Sequence, residues 1–140
     1  MLANNKTKIL SNGKMLLRPF NMNDVGDMYC NWSNEMGHVF FPKYSLHMNW
    51  EITFERIRNI IDSYLSEDTY IWAIEYSNGV IGYIEVVNIY NNDSSCCIYY
   101  YLCSKVNDKI FINEAISLVD NYLQNSIGIN NIKYKDILNT

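Results

Sequence analysis

Apolar and polar positions alternate or recur at helical spacing along most of the chain, and the two periods separate its elements. Met15-Leu16-Leu17-Arg18-Pro19-Phe20 reads as a short extended segment, because Pro19 cannot donate in a ladder and pushes Arg18 away from helix. An edge strand is expected there. Asn23 and Asp24 offer capping oxygens for a helix to about Ser33 that buries Val25, Met28, Tyr29 and Trp32. Residues 37–47 read as a loop whose aromatics Phe40, Phe41 and Tyr44 line a pocket or, the favoured reading, plug the core. From Asn49, a reasonable cap, apolar residues recur at Trp50, Phe54, Ile57, Ile61 and Tyr64, one stripe of a second helix.

Tyr70 to Tyr76 is rich in strand formers, Asn78-Gly79 signals a hairpin, and Val80 to Tyr90 resumes the strand pattern. After a turn at 91–95, both alternating faces of Cys96 to Cys103 are apolar or aromatic, which predicts a central strand covered on two sides. A loop over Lys105 to Ile110 leads to a helix with Ile112, Ala115, Ile116, Val119, Tyr122 and Leu123 on one stripe, stopped near Gly128. Ile132 to Leu138 then forms a last strand, parallel to the central one through a strand-helix-strand crossover. The succession β-α-α-β-β-β-α-β defines an α+β fold: a mixed, mainly antiparallel twisted sheet with helices on both faces.

Composition narrows the function. With 140 residues, 49% apolar and 19% charged, the chain suits one domain, residues 1–140, around one core. No apolar run approaches the roughly 20 residues of a membrane span, and residues 1–13 lack a hydrophobic signal core, so a cytoplasmic protein without a membrane partner is expected. A net charge of −4 without a basic cluster argues against nucleic acid. The four cysteines fit no metal spacing and are expected to be buried reduced thiols; no metal is expected.

Several strings carry a family resemblance. Leu16-Leu17-Arg18-Pro19-Phe20 with Asp24 and Trp32-Ser33-Asn34, the hairpin from Ile74 to Glu85 with Gly82, and the ungapped stretch from Ile98 to Ala115 resemble the GNAT superfamily of acyl-CoA N-acyltransferases, in the branch that acetylates ribosomal-protein N-termini and polyamines. The resemblance spans essentially the whole chain, and the family's last helix and two strands have no counterpart in it.

What this resemblance implies is transfer of acetyl from acetyl-CoA to a primary amine on a peptide N-terminus, a polyamine or another small molecule. Backbone groups of Tyr101, Leu102 and Cys103 would bond the pantetheine arm as an added pseudo-strand, and the pyrophosphate would sit on N–H groups of Asn107, Asp108, Lys109, Ile110, Phe111, Ile112 and Asn113. The family's loop has the form Q/R-x-x-G-x-G/A, and here its positions carry Lys105, Asp108, Ile110 and Ile112. A left-handed Ile110 would cost roughly 1–2 kcal/mol. Asp108 beside a dianion would cost on the order of 1–4 kcal/mol at about 4 Å.

Amine attack on a thioester needs a base and an acid. Glu85 is the candidate base if it points into the cleft, the bland reading being a paired or solvent-facing carboxylate. Tyr101, with Tyr99 and Tyr100 beside it, is the candidate substitute acid, three adjacent tyrosines on a strand being otherwise core aromatics. His38 and His47 are loop residues that border an acceptor site or sit on the surface. The rival to the enzyme is a catalytically silent scaffold used for binding or assembly. A bare last strand predicts a homodimer through it.

Overall fold

The hydrophobic alternation is realised as a six-stranded sheet in the order β1-β2-β3-β4-β5-β6, identical to the order along the chain. The computed structural model describes residues 7–31, 50–65, 70–77, 79–87, 95–102, 109–129 and 131–136. The strands are β1 (Leu10–Ser11), β2 (Leu16–Arg18), β3 (Tyr70–Tyr76), β4 (Gly79–Val87), β5 (Ser95–Leu102) and β6 (Asn131–Asp136). Neighbours are antiparallel from β1 to β5, and β6 joins β5 in parallel, from Ser95↔Asn131 to Tyr100↔Asp136. The expected mixed, mainly antiparallel α+β architecture is thus present.

Strand β2 is not the expected edge. β1 pairs along its outer side, and Pro19 lies one residue past its end, where a missing N–H removes no rung. The turn between them is closed by Asn12, whose Oδ1 accepts from the N–H groups of Lys14 at 2.9 Å and Met15 at 3.1 Å, while Gly13 takes φ +85°.

A 3₁₀ turn (Met22–Asp24) leads directly into α1 (Val25–Asn31). Its N-cap is Asn21, not the expected Asn23, and Asp24 supplies the capping oxygen expected of it: Asn21 Oδ1 accepts from Asn23 N at 2.9 Å, and Asp24 Oδ2 accepts from Asn21 N at 2.8 Å. Asp24 also reaches into the core. Arg18 donates to both its carboxylate oxygens, at 2.9 and 2.7 Å, and from Nε to Glu75 at 2.9 Å. The guanidinium, held between two carboxylates, has its pKa raised well above its ordinary value by the hydrogen bonds it donates to Asp24, against the opposing effect of burial.

In α1, Val25 and Met28 are buried but Tyr29 is 36% exposed; Trp32 and Ser33 lie outside the described residues. Helix α2 (Trp50–Ser63) buries Thr53, Ile57 and Ile60, with Tyr64 just beyond its end. Trp50 and Phe54 were expected on that stripe and lie on its rim, 49% and 40% exposed. Small Thr53 is taken into the core, and Trp50 meets Tyr29 edge-on at 5.8 Å between ring centroids. The aromatic loop expected at 37–47, with His38 and His47, lies outside the described residues.

Tyr64 ties three segments together. Its buried hydroxyl accepts from Phe20 N at 2.8 Å and donates to the Ile71 carbonyl at 2.8 Å, joining the end of α2 to β3 and to the chain leaving β2. Tyr64→Phe leaves both backbone groups buried without this partner, and urea unfolding is expected to show a loss of about 1–3 kcal/mol.

Gly79 belongs to the strand and not to the expected Asn78-Gly79 turn, of which Asn78 lies outside the described residues. Gly79 forms the last rung with Tyr76, and Ser77 has φ 54°, the positive value a two-residue turn demands. Asp27 of α1 accepts from Val80 N at 3.0 Å and fixes the turn to that helix.

Helix α3 (Lys109–Tyr122) begins one turn earlier than its stripe indicated and continues as a π-helical turn, Leu123–Ile127. Gly128 then stops it at φ +87°, as expected, and its N–H bonds the Leu123 carbonyl at 2.7 Å. Phe111 packs edge-on against Tyr76 at 4.9 Å, and Tyr122 meets Trp72 at 5.9 Å and Tyr70 at 6.4 Å. These strand residues share one face. The opposite face receives α1 and α2, so helices cover both sides.

Candidate functional site

Three features meet along one end of the sheet: Ser77 at the end of β3, the C-terminal end of β5, and the first turn of α3 that follows it in the chain. The β5–β6 register ends at Tyr100↔Asp136, so Tyr101 and Leu102 extend past the last described rung while remaining paired to β4 through Tyr83↔Tyr101 and Gly82↔Leu102. Cys103, Asn107 and Asp108 lie outside the described residues. Lys109, Ile110, Phe111, Ile112 and Asn113 form the opening of α3. Ile110 is helical and 69% exposed, so the left-handed backbone considered for it does not occur. Phe111 and Ile112 face the core, at 2% and 9% exposure.

Register assigns the chemistry-bearing side chains. Directly opposed residues of antiparallel strands share a face, with Cβ atoms about 4.5–5.5 Å apart. Tyr83 therefore faces Tyr101, and Glu85 faces Tyr99, on the side of the sheet that carries α2. Tyr83 and Tyr101 are buried, with ring centroids 6.4 Å apart; Glu85 and Tyr99 are half-buried. The phenol opposite Glu85 thus belongs to Tyr99, while Tyr101 contributes its ring to the core.

Burial pushes the Glu85 carboxyl above its ordinary value, and the positive charge of Arg56 on α2 offsets part of that shift. Tyr83 is pushed up by burial and then by the Glu85 charge. Tyr99 is also raised, first by the charge of Cys97, then by desolvation, by its side-chain hydrogen bond with Cys97, and by Glu85. A carboxylate held partly desolvated beside a phenol is an arrangement suited to accepting and returning protons.

Arg56 and Tyr83 were not singled out from the sequence. Tyr83 was legible through its period-two spacing to Glu85; Arg56 sits beside the buried stripe of α2 and carries no local signal. The cysteines part company: Cys96 is buried, Cys97 half-buried on the opposite face, and Cys30 exposed, which corrects the expectation of uniformly buried thiols. Among the described residues no three metal-ligating side chains converge, and no helix is long and apolar enough to cross a membrane.

Sheet order and the parallel last strand define a mixed α+β class of domain. Within that class the chain belongs to the acetyltransferase (GNAT) domain family, which matches residues 14–135. No curated protein sequence matches it. Similar solved structures include the ribosomal-protein-S5-alanine acetyltransferase from Vibrio fischeri, at 14% identity and a TM-score of 0.72 over 91% of this chain and 73% of that one. RimJ from Mycobacterium smegmatis, in complex with CoA-disulfide, aligns at 14% identity and 0.69 over 93% and 68%. The microcin C7 self immunity acetyltransferase MccE, in complex with acetyl-CoA and AMP, aligns at 17% and 0.66 over 92% and 72%. These likenesses establish a shared fold.

Proposed function

We propose that the chain transfers acetyl from acetyl-CoA to a primary amine, a peptide N-terminus being the acceptor class favoured by the ribosomal-protein acetyltransferases among its structural neighbours. The observation that carries the reading is the facing pair Glu85 and Tyr99 on the two strands β4 and β5. In this reading the pantetheine arm lies along Tyr101 and Leu102, and the pyrophosphate meets the N–H groups that open α3, where the helix dipole favours an anion.

The neutral amine attacks the thioester carbonyl carbon, and Glu85 takes its proton directly or through one water. The C–S bond then breaks, and the Tyr99 hydroxyl protonates the departing sulfur. Tyr99 is restored by the proton that Glu85 took, so the balance is amine plus acetyl-CoA to amide plus CoA thiol. Asp108 and Ile110, in the positions where the family carries small residues, favour a silent scaffold as the second reading. Pairing of two copies along β6 belongs to either.

Incubation with acetyl-CoA and a panel of short peptides and polyamines, followed by mass spectrometry, separates the two. Acceptors one acetyl group heavier, with one CoA thiol released per event, are expected. Unmodified acceptors across the panel alongside tight acetyl-CoA binding would leave only the scaffold.

A further inference from the structure

Glycine at position 82 has a specific steric cause. In a regular strand the Cβ points out of the sheet plane. A Cβ built on Gly82 would instead fall inside the van der Waals shell of the Tyr101 carbonyl oxygen, 3.0 Å from its carbonyl carbon and 3.1 Å from Leu102 Cα. Its Cβ direction lies toward β5, along the sheet. The neighbouring register explains why: Ile74 pairs with Gly82 but Glu75 pairs with Val80, so Ile81 is an extra residue in β4, a bulge that turns the backbone at 81–82.

The residues that Gly82 touches are the last two of β5, the same two that extend past the last described rung with β6. The Tyr101 ring is fixed from its other end by burial against Tyr83. The bulge and the missing side chain together therefore set where the Tyr101 carbonyl and the Leu102 N–H point.

We propose that Gly82 is a positioning residue: by admitting the Tyr101 carbonyl against the β4 backbone, it holds the end of β5 in the orientation in which its backbone bonds the pantetheine amides. This rests on the acetyl-CoA reading above. Any L side chain at position 82 has to displace the backbone at 101–102, because the atoms it meets are main chain and cannot rotate away.

The test compares the full chain with Gly82→Ala and with Ile57→Val, a buried change on α2 that leaves the backbone of β4 and β5 untouched. Each is followed by thermal melting, by amide spectra, and by calorimetric titration with acetyl-CoA. Gly82→Ala is expected to shift the amides of Tyr101 and Leu102 and to lower acetyl-CoA affinity at least tenfold, while Ile57→Val lowers the melting temperature and leaves affinity within twofold. Equal affinity in a folded Gly82→Ala variant, or unmoved Tyr101 and Leu102 amides, overturns the proposal.

Should Gly82→Ala fail to fold, the wild-type amide titration decides. Gly82 is expected to move together with Tyr101 and Leu102 on adding acetyl-CoA, and movement of those two without Gly82 overturns the assignment. Should the wild type bind no acetyl-CoA, the functional reading falls. The apo amide spectra of the two proteins then still decide whether Gly82 sets the end of β5.

Discussion

Glu85→Gln is expected to reduce acetyl transfer by about 10²–10⁴-fold, the ordinary worth of a positioned general base, with the fold retained. The substitution keeps the shape and removes the basic oxygen. Because burial raises this carboxyl above its ordinary value of 4.5, wild-type activity is expected to rise with pH through that raised value and to fall away in acid. Stability moves the other way. The native state holds the Glu85 proton more tightly than the unfolded chain, so the contribution is fully present below the ordinary value and is lost as pH rises through the raised one. Melting curves of the variant and the wild type should therefore coincide in acid and diverge toward neutral pH, with Glu85→Gln the more stable. A variant that keeps full turnover would remove Glu85 from the mechanism.

Arg18→Ala is expected to give the largest loss of stability. The guanidinium binds Asp24 through both terminal nitrogens and Glu75 through Nε, with Arg18 and Asp24 side chains only 15% and 4% exposed. Its removal leaves the Asp24 carboxylate buried without its cation, a change that costs about 3–5 kcal/mol. In a domain of this size that corresponds to roughly 10–20 °C in Tm. Lysine is expected to recover part of this loss, because one ammonium supplies the charge but not the planar fork that matches a carboxylate. A Tm within a few degrees of wild type for Arg18→Ala would show that Asp24 finds its partner elsewhere.

The sheet was legible because period-two alternation and the crossover rule are local and topological. Cys96 to Cys103 read as a strand covered on both sides, and Ile132 to Leu138 as its parallel neighbour, from the pattern alone. What escaped reading were features set by tertiary contact. The motif Leu16 to Phe20 with Asp24 was recognised as a string, but its physical reason is the Arg18–Asp24 pair, which links residues six positions apart through the core. Trp50 and Phe54 scored as core because hydrophobicity does not reveal that Thr53 would pack in their place.

The site was half visible. Glu85 and the tyrosine run were named from residue type, but only strand register distinguishes Tyr99, opposite Glu85, from Tyr101, opposite Tyr83. Gly82 was noted as a recurring residue of the hairpin, whereas its cause, the Tyr101 carbonyl, lies nineteen positions away on the next strand and appears only when the strands are paired.

Whether the end of β5 and the opening of α3 hold acetyl-CoA is the central claim, and calorimetric titration of the purified chain beside a thermal melt tests it most directly. A dissociation constant near micromolar, about 8 kcal/mol of binding, with a melting temperature raised by saturating ligand is predicted. No heat and no shift at millimolar acetyl-CoA would contradict it.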